Sequence, residues 1–253
     1  MLSSPVSPIR FGRILLTGAA GHLGREMRPR LKACCDRLRL SDREPMAPAA
    51  DGEEVIVADL ADRAAVLALL EGVDAVVHLG GVSTEQSWER IAAANIHGAV
   101  NLYEAARRHG VRRIVFASSN HVTGFYRQDQ VISPRDPVRP DGFYGLSKAF
   151  GEDLAQLYWD RFGLETVSVR IGSAFAAPKD RRMLATWMSF DDTERLFMAA
   201  LTAPVVGHSI VYGLSDNATA WWDNTPARHL GYRPQDSSEV FRAEVEARQP
   251  VLD

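Results

Sequence analysis

Short, nearly continuous apolar runs recur along this chain and alternate with helical patterns, and that alternation constrains the fold more than any other feature. The runs are Arg13-Ile14-Leu15-Leu16-Thr17, Arg37-Leu38-Arg39-Leu40-Ser41-Asp42, Glu54-Val55-Ile56-Val57-Ala58-Asp59, Ala75-Val76-Val77-His78-Leu79, Arg113-Ile114-Val115-Phe116-Ala117-Ser118-Ser119, and Thr166 to Ile171. A strand with one wet face alternates apolar and polar residues, whereas a strand buried on both faces does not. Helical patterns fill the intervals: one follows Gly24, Asp62 is placed to cap another that runs to about Leu70, and longer ones cover about Trp88 to His109 and about Gly142 to Phe162. Six such units, wound by right-handed crossovers, predict the α/β class: a doubly wound, Rossmann-type parallel sheet with helices on both faces.

The last third is less regular. Pro178 to Trp187 is basic, with Lys179, Arg181 and Arg182; a helix is expected from about Asp191 to Leu201, a short strand over His208 to Gly213, and a terminal helix over Ser237 to Arg248. The pattern predicts one domain over 1–253 in which about 174–253 contributes a small region that covers the sheet edge and shapes a substrate pocket. The chain has 253 residues, of which 46% are apolar and 24% charged, enough to bury a core. The net charge of -3 gives no electrostatic reason to expect nucleic acid or an anionic membrane as partner, but leaves room for a locally basic pocket that takes a small anion. The only cysteines, Cys34 and Cys35, are adjacent, so neither a disulfide framework nor a zinc-ligand spacing exists and no metal is expected. Met1 to Arg10 has no apolar h-region, and no apolar run reaches the ~18 residues of a membrane span; a cytoplasmic protein is the expectation by elimination.

Gly18-Ala19-Ala20-Gly21-His22-Leu23-Gly24 joins the first strand to a helix. Glycines at 18, 21 and 24 permit a tight turn and a close backbone approach to a pyrophosphate, and the helix N-terminus offers N–H groups and a positive dipole end. His22 and Leu23 stand where that helix begins. Asp42 ends the second strand, where a carboxylate accepts hydrogen bonds from adenosine ribose hydroxyls and repels a 2'-phosphate, which favours NAD over NADP; Arg43, next to it, would soften the preference. Asp59-Leu60, Leu79-Gly80-Gly81 and Ile171-Gly172 end further strands on the same edge and are expected to line the cofactor.

Tyr144 and Lys148 are at i and i+4, on one face of a helix. A free phenol, with a pKa near ~10, is a poor base at neutral pH. A neighbouring ammonium and a positive nicotinamide ring would favour the phenolate, and the lysine also suits the cofactor ribose. Ser119 closes the fifth strand and would hold a substrate oxygen toward Tyr144; alternation turns its neighbour Ser118 to the opposite face, so only one of the two can serve. Asn95 falls mid-helix, where asparagine is a poor helix former; it either fixes a water in a proton relay or marks a helix irregularity.

The motifs resemble the short-chain dehydrogenase/reductase superfamily, above all its extended branch. The strings HLGGVS (78–83), NLYEAARRHG (101–110), IVFASSNH (114–121), RPDGFYGLSK (139–148), VRIGS (169–173), RMLATW (182–187) and AWWDN (220–224) narrow the likeness, over about Arg13 to Glu246, to the uronate dehydrogenases. That resemblance implies NAD-dependent oxidation at C1 of cyclic glucuronate or galacturonate to an aldarolactone. Tyr144 would be the base, with Lys148 and Ser119 beside it; Ser83, Asn120, His121 and Ser173 would contact sugar hydroxyls; and Arg182 would bind the uronate carboxylate. A bidentate guanidinium–carboxylate pair is sound chemistry for that last role, although Arg181 stands next to it. Superfamily members commonly self-associate, so a homo-oligomer is expected. Uronate dehydrogenases commonly carry a further C-terminal segment, whereas this chain stops at Val251-Leu252-Asp253. Two other readings use the same residues: a sugar-nucleotide epimerase or dehydratase, which usually needs a larger C-terminal lobe, and a non-catalytic NAD sensor, which would have no need of Ser119, Tyr144 and Lys148.

Overall fold

The computed structural model describes residues 10–248. The proline-broken start and the last five residues, with the expectations attached to them, lie outside that range. Seven strands form one sheet: β1 (Phe11–Thr17), β2 (Cys35–Asp42), β3 (Glu53–Val57), β4 (Ala75–His78), β5 (Arg113–Ser119), β6 (Glu165–Ile171) and β9 (His208–Gly213), in the order β3-β2-β1-β4-β5-β6-β9. Every neighbouring pair is parallel. A second, two-stranded sheet pairs β7 (Ser173–Ala174) with β8 (Trp187–Met188). The third and fourth strands end at Val57 and His78, short of the expected Asp59 and Leu79. The next residues have begun to turn, although Ala58 still donates to the Asp42 carbonyl at 3.0 Å and Leu79 to that of Thr17 at 3.2 Å.

Both faces of the sheet are covered, as unalternated strands require. Ile14, Leu16, Leu38, Leu40, Val77, Val115 and Val167 point to one face and meet Met27 and Leu31 of α1 (His22–Leu31) and Leu196, Phe197 and Leu201 of α7 (Phe190–Thr202). Leu15, Val76, Ile114 and Phe116 point to the other face. They meet Val66 and Leu69 of α2 (Arg63–Leu69), Leu102 and Tyr103 of α4 (Gly98–Arg108), and Leu154 and Tyr158 of α5 (Phe143–Phe162). The vicinal cysteines are free thiols buried against the first of these faces.

Two expectations change. The long helix over about Trp88 to His109 is interrupted: α3 (Trp88–Ile91) leads into a π-helical turn (Ala92–His97) before α4 begins. The region after β6 also does more than cover an edge, since α7 packs one face and β9 extends the sheet. The segment between β7 and β8 contains α6 (Met183–Thr186), and the chain's described end is a 3-10 turn (Ser238–Phe241) followed by α8 (Arg242–Arg248). None of the described helices is long and apolar enough to cross a membrane.

The first turn shows how tightly the sheet edge is built. Gly18 has φ +70°, and a Cβ there would lie 2.6 Å from the Leu79 carbonyl carbon, so the β1 turn and the β4 turn touch backbone to backbone. A Cβ on Gly24 would run into the Gly18 carbonyl oxygen and come within 2.8 Å of the Ala19 Cα. Gly24→Ala therefore should cost about 1–3 kcal/mol, the usual range for overpacking, and should weaken dinucleotide binding; thermal melts with and without NAD check both effects.

Candidate active site

The carboxyl ends of β4, β5 and β6 open onto a cavity of about 390 Å³ lined by residues that include Leu79, Gly81, Ser83, Ser119, His121, Tyr144, Lys148 and Arg182. One side of this edge is a dinucleotide cradle. Helix α1 starts at Gly21 with no side-chain cap and no acidic residue in its first turn, so its leading N–H groups have no carboxylate competing with an incoming phosphate. With the side-chain-free contact at Gly18 and Gly24, that is the space and charge a pyrophosphate needs. The half-buried Asp42 accepts from Ala20 N at 3.0 Å and Glu44 N at 3.1 Å, which fixes its carboxylate against the turn. Asp59 accepts from Ala61 N at 2.8 Å, and the Leu60 side chain closes over Gly80. His22 is exposed, its ring 5.6 Å from that of Phe175. Leu23, Ile171 and Gly172 line the cavity.

Ser119 is 4% exposed, Tyr144 9% and Lys148 6%, so all three site groups are desolvated. Burial pushes the Tyr144 hydroxyl above its ordinary range, and a hydrogen bond from Ser119 draws it partly back. Burial lowers the Lys148 ammonium to about 8. The expected lowering of the phenol by its lysine is thus not a property of the protein alone: removal from water outweighs it. The Lys148 Nζ lies 5.2 Å from the Phe116 ring centroid and 5.8 Å from that of Tyr144. Behind it, His78 is held by Thr17 Oγ1 at 2.7 Å, and burial followed by Lys148 depresses its pKa to about 3, so it is a neutral ring at physiological pH.

The two serines separate as alternation predicts. Both serines line the cavity, but Ser118 Oγ donates to Glu152 at 2.6 Å, whereas Ser119 Oγ accepts from His121 N at 3.2 Å and caps the 3-10 turn Asn120–Thr123. That turn brings Asn120 and His121 to the cavity. His121 Nδ1 lies 2.9 Å from Asp141, and its ring meets that of Tyr144 edge-on at 5.4 Å. Ser173 Oγ shares a hydrogen bond with Thr186 Oγ1 at 2.9 Å. Arg181 and Arg182 also part company: Arg181 reaches Glu246 of α8 at 3.8 Å, while Arg182 lines the cavity with no ion-pair partner among the described residues.

Asn95 is an irregularity with a purpose. In its π turn the side chain accepts from Val82 N at 2.8 Å and donates to Val82 O at 3.0 Å and Ser147 Oγ at 2.9 Å, while Ser147 donates on to Tyr144 O at 2.7 Å. It clasps the loop after β4 to the helix of Tyr144 and Lys148, with its amide N–H groups engaged and one lone pair of Oδ1 used.

Sequence reasoning missed Glu85. Helix α5 starts after Gly142, which has no capping side chain, and Glu85 accepts instead from Phe143 N at 3.1 Å and Tyr144 N at 3.0 Å. The signal was the bare Gly142 before a helix start; the partner, 58 positions upstream, was not legible. Asp141, Phe175 and Met183 were missed as well. Glu85→Ala should cost about 0.5–2 kcal/mol, as loss of an N-cap does, with Glu85→Gln retaining much of it; the two melting temperatures check this.

The family model described as "NAD dependent epimerase/dehydratase family" matches residues 14–202. A uronate dehydrogenase of Pseudomonas putida is 62% identical over 245 residues, 96% of this chain and 91% of that protein. One from Pseudomonas syringae pv. tomato is 58% identical over 100% of this chain and 92% of its own length. A crystal structure of a mutant uronate dehydrogenase from Agrobacterium tumefaciens, complexed with NAD, superposes with a TM-score of 0.94 at 50% identity, over 96% of this chain and 92% of that one.

Proposed function

Because the chain belongs to the NAD-dependent epimerase/dehydratase family, and within it to the uronate dehydrogenases, we propose that it oxidises C1 of cyclic D-glucuronate or D-galacturonate to the aldarolactone. The observation that carries the reading is the convergence of Ser119, Tyr144 and Lys148 in the cavity that Arg182 also lines, a guanidinium without an ion-pair partner among the described residues.

Bound NAD would supply the hydride acceptor, held by the Gly18–Gly24 turn, Asp42 and Lys148. The protein's own groups do the rest. Tyr144 Oη takes the proton of the C1 hydroxyl. Ser119 Oγ holds that oxygen toward the phenol. Lys148, still an ammonium at neutral pH, favours the phenolate that burial opposes. Arg182 pairs with the C6 carboxylate through parallel N–H···O bonds, which orients the ring, while Ser83, Asn120, His121 and Ser173 meet its hydroxyls. Asp141, on Nδ1 of His121, fixes which ring nitrogen faces the sugar.

The test is NADH formation at 340 nm with either acid. Turnover is expected with NAD well above that with NADP, falling about 10²–10⁴-fold in Tyr144→Phe, the range for general-base loss. Arg182→Ala should raise KM for the acid about 10–100-fold, as loss of a charged hydrogen-bonded pair does, with kcat less affected. Absence of turnover with both acids in a protein that binds NAD would sink the proposal.

The pH dependence has a definite sign. The acidic form of Tyr144 is the inactive one in oxidation, and its pKa lies above the ordinary value, so kcat/KM rises with pH across the neutral range. Lys148→Met removes the charge that favours the phenolate, so it should move the rising limb to higher pH; an unmoved limb would exclude that role.

A further inference from the structure

Directly behind the site lies a buried polar cluster that the proposed chemistry does not use. Ser118 Oγ donates to Glu152 Oε1 at 2.6 Å, and Arg170 donates through Nε to the same oxygen at 2.9 Å and through Nη2 to Oε2 at 2.8 Å. The residues are 2%, 2% and 1% exposed. Burying an ion pair costs desolvation that its attraction often only repays, so such a pair is weak evidence for stability and is better read as specifying geometry. Here the geometry has a clear address. Ser118 precedes Ser119; Glu152 is one helical turn beyond Lys148, at i+4; and Arg170 precedes Ile171-Gly172-Ser173. Ser118 and Arg170 are also register partners in the β5–β6 ladder. One carboxylate therefore ties the end of β5, the end of β6 and the catalytic turn of α5 together. The guanidinium is confined further by the Tyr212 ring, 5.6 Å away.

We propose that Ser118, Glu152 and Arg170 are positioning residues that set the placement of Ser119 relative to Tyr144 and Lys148. The inference rests on the dehydrogenase reading for its catalytic consequence. A side chain near the chemistry displaced by an ångström can cost about 10²-fold in rate, while the sugar carboxylate and hydroxyl contacts sit on other residues. Loss of the cluster should therefore fall on kcat and on the Lys148–cofactor contact rather than on KM for the acid.

The fold provides its own control. Arg113, fully buried, and Glu165, half-buried, form a second ion pair between the same two strands, at their opposite ends, where Arg113 also donates to the carbonyls of Leu201 and Ala203. It pairs the same two residue types across the same strands, but has no site residue beside it.

The experiment compares Ser118→Ala and Glu152→Gln with Glu165→Gln. Melting temperature, kcat and KM are measured well below every melting point, and NAD affinity is measured by calorimetry. All three variants are expected to melt earlier. Ser118→Ala and Glu152→Gln should lose about 10–100-fold in kcat, with KM for the uronate nearly unchanged, and NAD affinity should fall about 3–10-fold; Glu165→Gln should keep both kcat and NAD affinity. Equal losses in the three variants, or none in Ser118→Ala and Glu152→Gln, would overturn the proposal. If Glu152→Gln fails to fold, Ser118→Ala, which leaves the ion pair in place, decides alone. An inactive wild-type protein would count against the uronate reading, and the NAD affinities would still decide the positioning role.

Discussion

Every strand of the main sheet runs the same way, and the rest of the molecule follows from that. Parallel pairing needs crossovers, crossovers put helices on both faces, and a sheet buried on both faces has its strand ends as its accessible backbone edges. Thr17, Asp42, His78, Ser119 and Ile171 therefore reach one edge together although they are spread over more than half of the chain. The site is the carboxyl edge of the sheet, and its side chains are those that happen to end strands there or lie on the first turns that follow.

Confinement has an electrostatic consequence. The packing that holds Tyr144 and Lys148 in place also strips them of water, so the phenol is pushed up and the ammonium down toward about 8. The neutral His78 behind them adds no second cation to oppose the lysine charge. A phenol raised by burial would need the charge of Lys148 and of bound cofactor to act as the proposed base, in a reaction whose hydride leaves C1 and whose proton leaves the C1 hydroxyl.

Much of the fold was legible in the chain because its signals are local. Unalternated apolar runs mark doubly buried strands wherever they occur, glycines at 18, 21 and 24 mark a tight turn with no room for a side chain at 18 or 24, and Tyr144 and Lys148 share a helix face by spacing alone. Alternation separated Ser118 from Ser119 correctly. The π turn around Asn95 was not legible, since its cause is a set of hydrogen bonds to Val82 and Ser147 on other elements. The remote cap that Glu85 places on α5 and the pairing of His121 with Asp141 are likewise contacts between segments distant in sequence. Neighbouring arginines offered no local distinction either: Arg181 reaches Glu246 of α8, and Arg182 lines the cavity.

The sequence by itself determined the parallel α/β class, the cofactor turn and the residues that could do chemistry, because periodicity, glycine sterics and helical spacing act over a few residues. Tertiary structure decided how those residues are held and charged. Burial of Tyr144 and Lys148, the clasp through Asn95, the cap from Glu85 and the Ser118–Glu152–Arg170 cluster all arise where elements distant in sequence meet. Desolvation and hydrogen-bond geometry belong to that three-dimensional juxtaposition and to no single segment of the chain.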